Sequence, residues 1–390
     1  MSWQAHSAAG RPQLPGRLDR PPLLGCMAEA LSAFAALPAP RLCLDLRTSA
    51  HFARAHVPGA AHVDGLDALR SRFSTLPPRG TPFLVVCEAE ALADAARVFT
   101  PPERWAIVGI VAVGSIDNVA HVPDGATHPV VCLSHDAFAM WPLACATGAD
   151  ARTDEPNLLF APAPVVARAL HTYAPARVDG ATCVLDVGCG AGRDLTYWLR
   201  HAPRGAQWRA TALDRWRAAL LRAAQLLQDH ALLAPALNGT LGSTRDDSAA
   251  PALCEAMLVR TIDVAGHVRE GTETLPLAAC LPRRAYDVVL LIRFWHMSLL
   301  EQLPEIVAPG GIVVISHFVH EPARIVDAVH RAPTSTTFES PPVDARIHVG
   351  DVAHLLCIWR THGAWDVLEN VIEPVEDGRP VQSVVVRRNR

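Results

Sequence analysis

Short apolar runs bounded by turn residues alternate with amphipathic stretches along most of this chain, which is the rhythm of a parallel α/β protein. From Cys26 onward, MAEALSAFAAL predicts a short helix and RLCLDLR a buried strand. HFARAHVPGAAHV predicts a helix, a tight turn at Pro58-Gly59 and another strand, and FLVVC a third strand followed by the helix ALADAARVF. In the second half, CVLDVGC, QWRATALD, AMLVRTIDV, AYDVVLLIRFW and APGGIVVISHF predict five strands. Helices are expected near Leu195 to His201, over RWRAALLRAAQLL and over LLEQLPEIV. A chain of 390 residues suggests two domains. The pattern sets them at 26–147 and 157–390, with a Pro-rich tail over 1–25, a linker over 148–156 and a low-complexity surface insertion from Asn238 to Ala252.

Composition narrows the function classes. The longest apolar runs, such as Val288 to Ile292, are strand-sized, so a soluble cytoplasmic protein with no membrane partner is expected. A net charge of -4, with no basic run, argues against nucleic acid as a partner. Every residue in the Lys+Arg count is arginine, which excludes Schiff-base lysine chemistry and a Walker A phosphate loop. Ten cysteines without a CxxC pair suit a reducing compartment and predict neither a metal site nor a disulfide framework. The tail carries Arg11, Arg17 and Arg20 against Asp19, and two readings stay open for it: a disordered lead-in or an organelle-targeting segment.

The chemistry concentrates at Cys183 to Asp194, CVLDVGCGAGRD. A buried strand ending near Asp186 turns through Gly188, Gly190 and Gly192 into a helix, the front end of a nucleotide-type fold. The third glycine comes two residues after the second, and Arg193 stands where the dinucleotide fingerprint needs glycine. Such a loop admits close backbone approach to a ligand with no pyrophosphate, and a carboxylate beside it suits a cationic one. Asp214 ends the next strand 28 residues after Asp186, near the offset at which an acid meets ribose hydroxyls. A helix N-cap is the other reading of Asp214. Asp263 ends the third strand, as an adenine-side acid or as a turn residue.

Taken with x-D-V-V-L-L at Asp287 and the Pro-Gly-Gly turn, these features resemble class I S-adenosylmethionine (SAM)-dependent methyltransferases across residues 157–390. IRFWHMSLL and GRPVQSVVVRR look like the TehB-like subgroup, which includes tellurite-resistance methyltransferases. The resemblance implies a Rossmann-like sheet flanked by helices and SAM as cofactor. It implies Asp186, Gly188, Gly190, Gly192, Asp214 and Asp263 as cofactor-binding residues. NLLFAPAPVVARALHTYAPA would be a lid helix. Arg293 and His296 leave the fourth strand at its carboxyl end and are the catalytic candidates, with Trp295 as a wall and His317 and His320 as further candidates. The alternative is packing for Phe294 and Trp295 and a helix cap for His296.

The first half resembles the rhodanese family through LDLR and HFARAHVPGAAHV, with matches at Asp45, Arg47, Phe52, His56, Pro58, Gly59 and Ala60. That places Cys87 at the position of the sulfur-carrying cysteine. The family's Cys-Arg-x-Gly-x-Arg-like loop is replaced by Glu88-Ala89-Glu90-Ala91-Leu92, and the added carboxylates should raise the thiol pKa. The expected domain is catalytically degenerate, serving docking or regulation and offering a surface for a protein partner. Asp45, Arg47, Gly59 and His56 are read as structural. The leading expectation is methyl transfer to a small-molecule acceptor that is a thiol, a chalcogen or another anion. Two alternatives stay open: a bifunctional enzyme that methylates a Cys87 persulfide, and a non-catalytic interaction protein.

Overall fold

The computed structural model describes residues 31–99, 105–115, 128–141, 143, 145–146, 155–175, 177, 180–203, 205–234, 252–270, 272–331 and 337–390. The tail over 1–25, most of the linker and nearly all of the 238–252 insertion lie outside the described residues.

The first unit is a five-stranded sheet in the order Ala61–His62, Leu42–Asp45, Pro82–Glu88, Ala106–Val113, Val130–Leu133, and every pairing is parallel. Both faces are covered, which is why FLVVC and AIVGIVAV are continuous apolar runs. One face carries Leu44, Phe83, Leu92 and Phe99, the other Phe34, Val57, Leu84 and Phe138. At the centre, the Arg47 guanidinium donates to Asp45 Oδ2 at 2.6 Å and to the Ala55 carbonyl at 2.6 Å, with both side chains fully buried. This pair fixes the strand-to-helix corner.

The second unit is built on an eight-stranded sheet ordered Ala252–Val259, Gln207–Asp214, Ala181–Val187, Tyr286–Ile292, Val307–Phe318, Pro380–Arg388, Trp365–Pro374, Val329–His330. It is parallel through Val307–Phe318, and Pro380–Arg388 is antiparallel to both of its neighbours. Strand order reverses at the glycine strand: its successor in sequence lies on one side and Tyr286–Ile292 on the other. The carboxyl ends of that pair form the crevice where open α/β sheets bind ligands. The chain is therefore α/β, with a mainly parallel open sheet whose strand order reverses at the glycine strand.

Three elements differ from expectation. The predicted helix LLEQLPEIV splits into Met297–Leu300 and a single 3-10 turn Leu303–Glu305, because Pro304 has no N–H to continue the ladder. Pro309-Gly310-Gly311 lies inside strand Val307–Phe318, where the register shifts against the neighbouring strand, rather than ahead of it. The third strand stops at Val259, and residues 261–275 fold back as a small antiparallel sheet. This puts Asp263 in the hairpin turn after Thr261–Ile262 and not at the end of the third parallel strand.

The expected lid helix is Pro164–Tyr173, and it is fixed in place. Val165, Val166, Ala169 and Leu170 are buried. Arg168 donates to Glu369 at 2.8 Å and to Glu373 at 2.8 Å on strand Trp365–Pro374. The two units also join. Asn157 N–H donates to Gly59 O at 2.8 Å, Arg72 pairs with Asp229, and Leu159 sits in the first unit's core. No helix among the described residues is long and apolar enough to cross a membrane.

Candidate active site

The glycine loop is shaped by its neighbours. Gly188 and Cys189 donate to the Leu213 carbonyl at 2.8 and 3.1 Å, which ties the loop to the adjacent strand end. Gly188 has φ 73°, and a Cβ there would come within 2.8 Å of the Phe294 ring. Gly192, at φ 76°, would meet Ala223 at 2.8 Å. Gly190 differs: at φ 56° it has no atom of the described residues within 4 Å of where a Cβ would stand. The loop therefore has two glycines demanded by packing and one that opens onto space.

Three carboxylates lie near one another at this loop. Asp214 accepts from Gly190 N at 2.9 Å through one oxygen and from Trp216 N at 2.8 Å through the other. Asp194 accepts from Ala163 N at 2.7 Å, and burial raises its pKa. Asp186 is 2% exposed, and its Oδ2 finds no hydrogen-bond partner among the described residues. Burial pushes its pKa well up, and the Asp194 and Asp214 charges push it further. A buried carboxyl with one oxygen unpartnered, in a loop with an open glycine, fits a cationic ligand such as SAM, whose positive charge would neutralise this cluster.

Arg293 follows strand Tyr286–Ile292 at φ 59°, a left-handed conformation rarely taken by a side chain of this size. Its N–H donates to Ser316 O at 2.7 Å, which holds the kink. The guanidinium lies 4.8 Å from the centroid of Phe318, and burial lowers its pKa while Asp194 opposes that shift. Arg379, from the turn between the last two strands, lies 4.3 Å from the same ring and pairs with Asp377 at 2.7 Å. Asp377 is held below the usual carboxylate range chiefly by that hydrogen bond. Both arginines line a cleft of about 560 Å³ together with Arg193, Asp194 and, from the first unit, Arg79. The Arg79 N–H donates to Glu376 Oε1 at 2.6 Å, so the first unit forms part of the wall.

Of the residues read from sequence, Asp186, the three glycines, Asp214 and Arg293 come together at the crevice. Asp263 accepts from Ala265 N and His267 N, each at 2.9 Å, through one oxygen within its hairpin turn. His296 heads helix Met297–Leu300 with no side-chain cap bond; its Nδ1 is buried without a partner among the described residues, and it is not among the residues lining the cleft. Phe294 and Trp295 pack against the core. His317 donates Nε2–H to Ala345 O at 2.8 Å, and burial lowers its pKa to about 4. His320 lies 3.9 Å from Glu321. Cys87 is fully buried, which drives its thiol pKa far up, with Asp45 and Glu88 adding to the rise. Arg79, Arg379 and Asp194 had not been singled out. The only local signal among them was the Asp-Gly-Arg turn at Asp377 to Arg379.

No family model matches the chain. A Schizosaccharomyces pombe (strain 972 / ATCC 24843) protein, Uncharacterized protein UNK4.09, is 28% identical over 251 residues, which is 60% of this chain and 64% of that protein. The chain thus spans less than two thirds of that relative. Solved structures to which the chain shows similarity include S-adenosylmethionine-dependent methyltransferase SibL in its apo form (22% identity, TM-score 0.31, covering 54% of this chain and 51% of that one). A SAM dependent methyltransferase from Aquifex aeolicus has 15% identity and a TM-score of 0.32, covering 57% and 88%. The [4+2]-cyclase SpnF has 13% identity and a TM-score of 0.33, covering 57% and 81%. At these identities and scores the functional reading rests on the site itself.

Proposed function

We propose that the chain is a SAM-dependent methyltransferase of the TehB-like kind that acts on a small anionic, thiol or chalcogen acceptor. Its first unit would be a rhodanese-like module without sulfur-transfer activity. The observation that carries the cofactor assignment is the buried Asp186 Oδ2 without a partner among the described residues, in the loop whose Gly190 opens onto space. Asp186, Gly188, Gly190, Gly192 and Asp214 are the residues that would hold the cofactor, whereas both oxygens of Asp263 face its own turn. When bound, SAM supplies a methyl group on a positively charged sulfur, already activated for displacement.

The chain's own residues then have to orient the acceptor and keep water out. Arg79, Arg193, Arg293 and Arg379 give the cleft a cationic rim suited to an anion. Asp377 pairs with Arg379 and holds that guanidinium in position, while the Asp194 charge acts electrostatically on Arg193 and Arg293. An anionic acceptor arrives as the nucleophile and needs no base, and His296, the base candidate read from the sequence, does not line the cleft. The buried, protonated Cys87 favours a docking or regulatory role for the first unit over persulfide chemistry, and Arg79 gives that unit a share in acceptor choice. Calorimetry with SAM tests the reading: binding is expected in the wild type and lost in Gly190→Arg. Absence of wild-type binding overturns the proposal. Methyl transfer from labelled SAM to a panel of thiols, oxyanions and neutral amines tests the acceptor class.

A further inference from the structure

A second group of chemistry-bearing side chains lies in the first unit, far in sequence from the glycine loop. His51 comes from helix Ser49–Arg54, Glu88 ends strand Pro82–Glu88, and His135 opens helix His135–Ala139. The three elements bring them together at the carboxyl edge of the parallel sheet, where α/β folds assemble ligand sites. His51 Nδ1 lies 2.7 Å from Glu88 Oε1, and the His51 and His135 ring centroids are 4.2 Å apart. One ligating atom from each residue falls within 4.8 Å of the others. Tetrahedral zinc with bonds of 2.0–2.2 Å spaces its ligands by about 3.4 Å, so small side-chain adjustments close the set around an ion.

We propose that His51, Glu88 and His135 form a three-ligand site for a divalent transition-metal ion, Zn²⁺ foremost, with a fourth position open to water or an anionic ligand. Two imidazoles and one carboxylate suit zinc and its neighbours; calcium and magnesium prefer all-oxygen shells. The carboxylate is already oriented, because Glu88 Oε1 also accepts from Thr48 N at 3.0 Å. Nearby positive charge is neutralised elsewhere, Arg47 by Asp45 and Arg54 by Asp136. The ligands carry no local motif, being drawn from three distant segments, which is why the sequence predicted no metal.

The test is calorimetric titration of Zn²⁺ into the full chain after chelator dialysis. One tight site is expected, weakened about 100-fold or more in His51→Ala/His135→Ala and in Glu88→Gln. Unchanged affinity and stoichiometry in those variants, or no wild-type binding, overturns the proposal. A second measurement needs no variant: diethylpyrocarbonate modification mapped by peptide mass spectrometry should show His51 and His135 protected by Zn²⁺. Equal modification with and without the ion also overturns it.

Discussion

Arg293 and Arg379 meet on one aromatic ring, their guanidinium carbons 4.8 and 4.3 Å from the Phe318 centroid, although one leaves a parallel strand and the other tops the antiparallel hairpin. The ring holds two like charges side by side by offering its electron-rich face. Such an arrangement gains most when an anion lies between the guanidiniums. Arg379→Ala should therefore raise the acceptor KM roughly ten- to a hundredfold, the worth of a charge-assisted hydrogen bond, while the SAM Kd stays within about twofold. Steady-state kinetics with acceptor varied at saturating SAM, alongside SAM calorimetry, separates the two. A variant that loses SAM affinity and keeps its acceptor KM contradicts the assignment.

The glycine loop was legible in the sequence because its constraints are local: strand, turn and helix lie within Ala181 to His201, and Asp214 ends the neighbouring strand. The arginine cleft was not. Arg79 and Arg379 lie on turns at opposite ends of the chain, and only the docking of the first unit and the antiparallel return of Pro380–Arg388 bring them together. Asp263 shows the opposite error. Its acid matched an expected position, but Asp263-Val-Ala-Gly266 is also a turn sequence, and the two turn N–H groups took the carboxylate. At His296 neither alternative describes the side chain fully: the residue does head a helix, yet its ring caps nothing.

Asp186 should trade stability for binding. Its folded-state pKa is raised, so the folded chain holds the proton more tightly than the unfolded chain, and stability declines as pH rises from the ordinary carboxylate range toward that higher value. Asp186→Asn removes the buried acid and should raise Tm by about 2–4 °C at neutral pH. It should also weaken SAM binding by roughly 30-fold or more, the cost of losing one partner of a buried charge pair. In the wild type, SAM affinity should fall on acidification at a higher pH than an ordinary aspartate would give, and in the Asn variant it should be flat there. Differential scanning calorimetry and SAM titrations across pH check both halves. A less stable Asn variant would contradict the account.

The Asp45–Arg47 pair makes a prediction about the first unit alone. Both side chains are fully buried, so Arg47→Met leaves a carboxylate without its countercharge. A cost of about 3–5 kcal/mol is expected. Asp45→Asn/Arg47→Met should recover a large part of it, because no charge is then buried. Urea unfolding of the two variants against wild type measures the difference, and equal midpoints for the single and double variants would show that the pair carries no coupled energy.

Acid sensitivity should come from two histidines in the second unit, the buried His317 and the half-buried His230. Burial lowers the pKa of His230 to about 4 and that of His317 to about 4, and in each ring Nδ1 has no partner among the described residues. In the unfolded chain both titrate near 6.5, so between that value and 4 the unfolded state binds more protons than the folded one. Stability then rises with pH through this window: it is fully present above 6.5 and is lost progressively as pH falls toward 4. Each shift corresponds to about 3 kcal/mol at the acid end, the larger part of a typical domain's stability when the two are summed. His317→Gln retains a donor for Ala345 O and should flatten the fall in Tm between pH 6.5 and 4 without changing Tm above pH 7 by more than a few degrees. His230→Asn should do the same independently, since the two sites share no contact partner in the structure. Thermal melts of wild type, both single variants and the double variant at half-unit pH intervals supply the check. Parallel Tm profiles for wild type and double variant would place the acid sensitivity elsewhere.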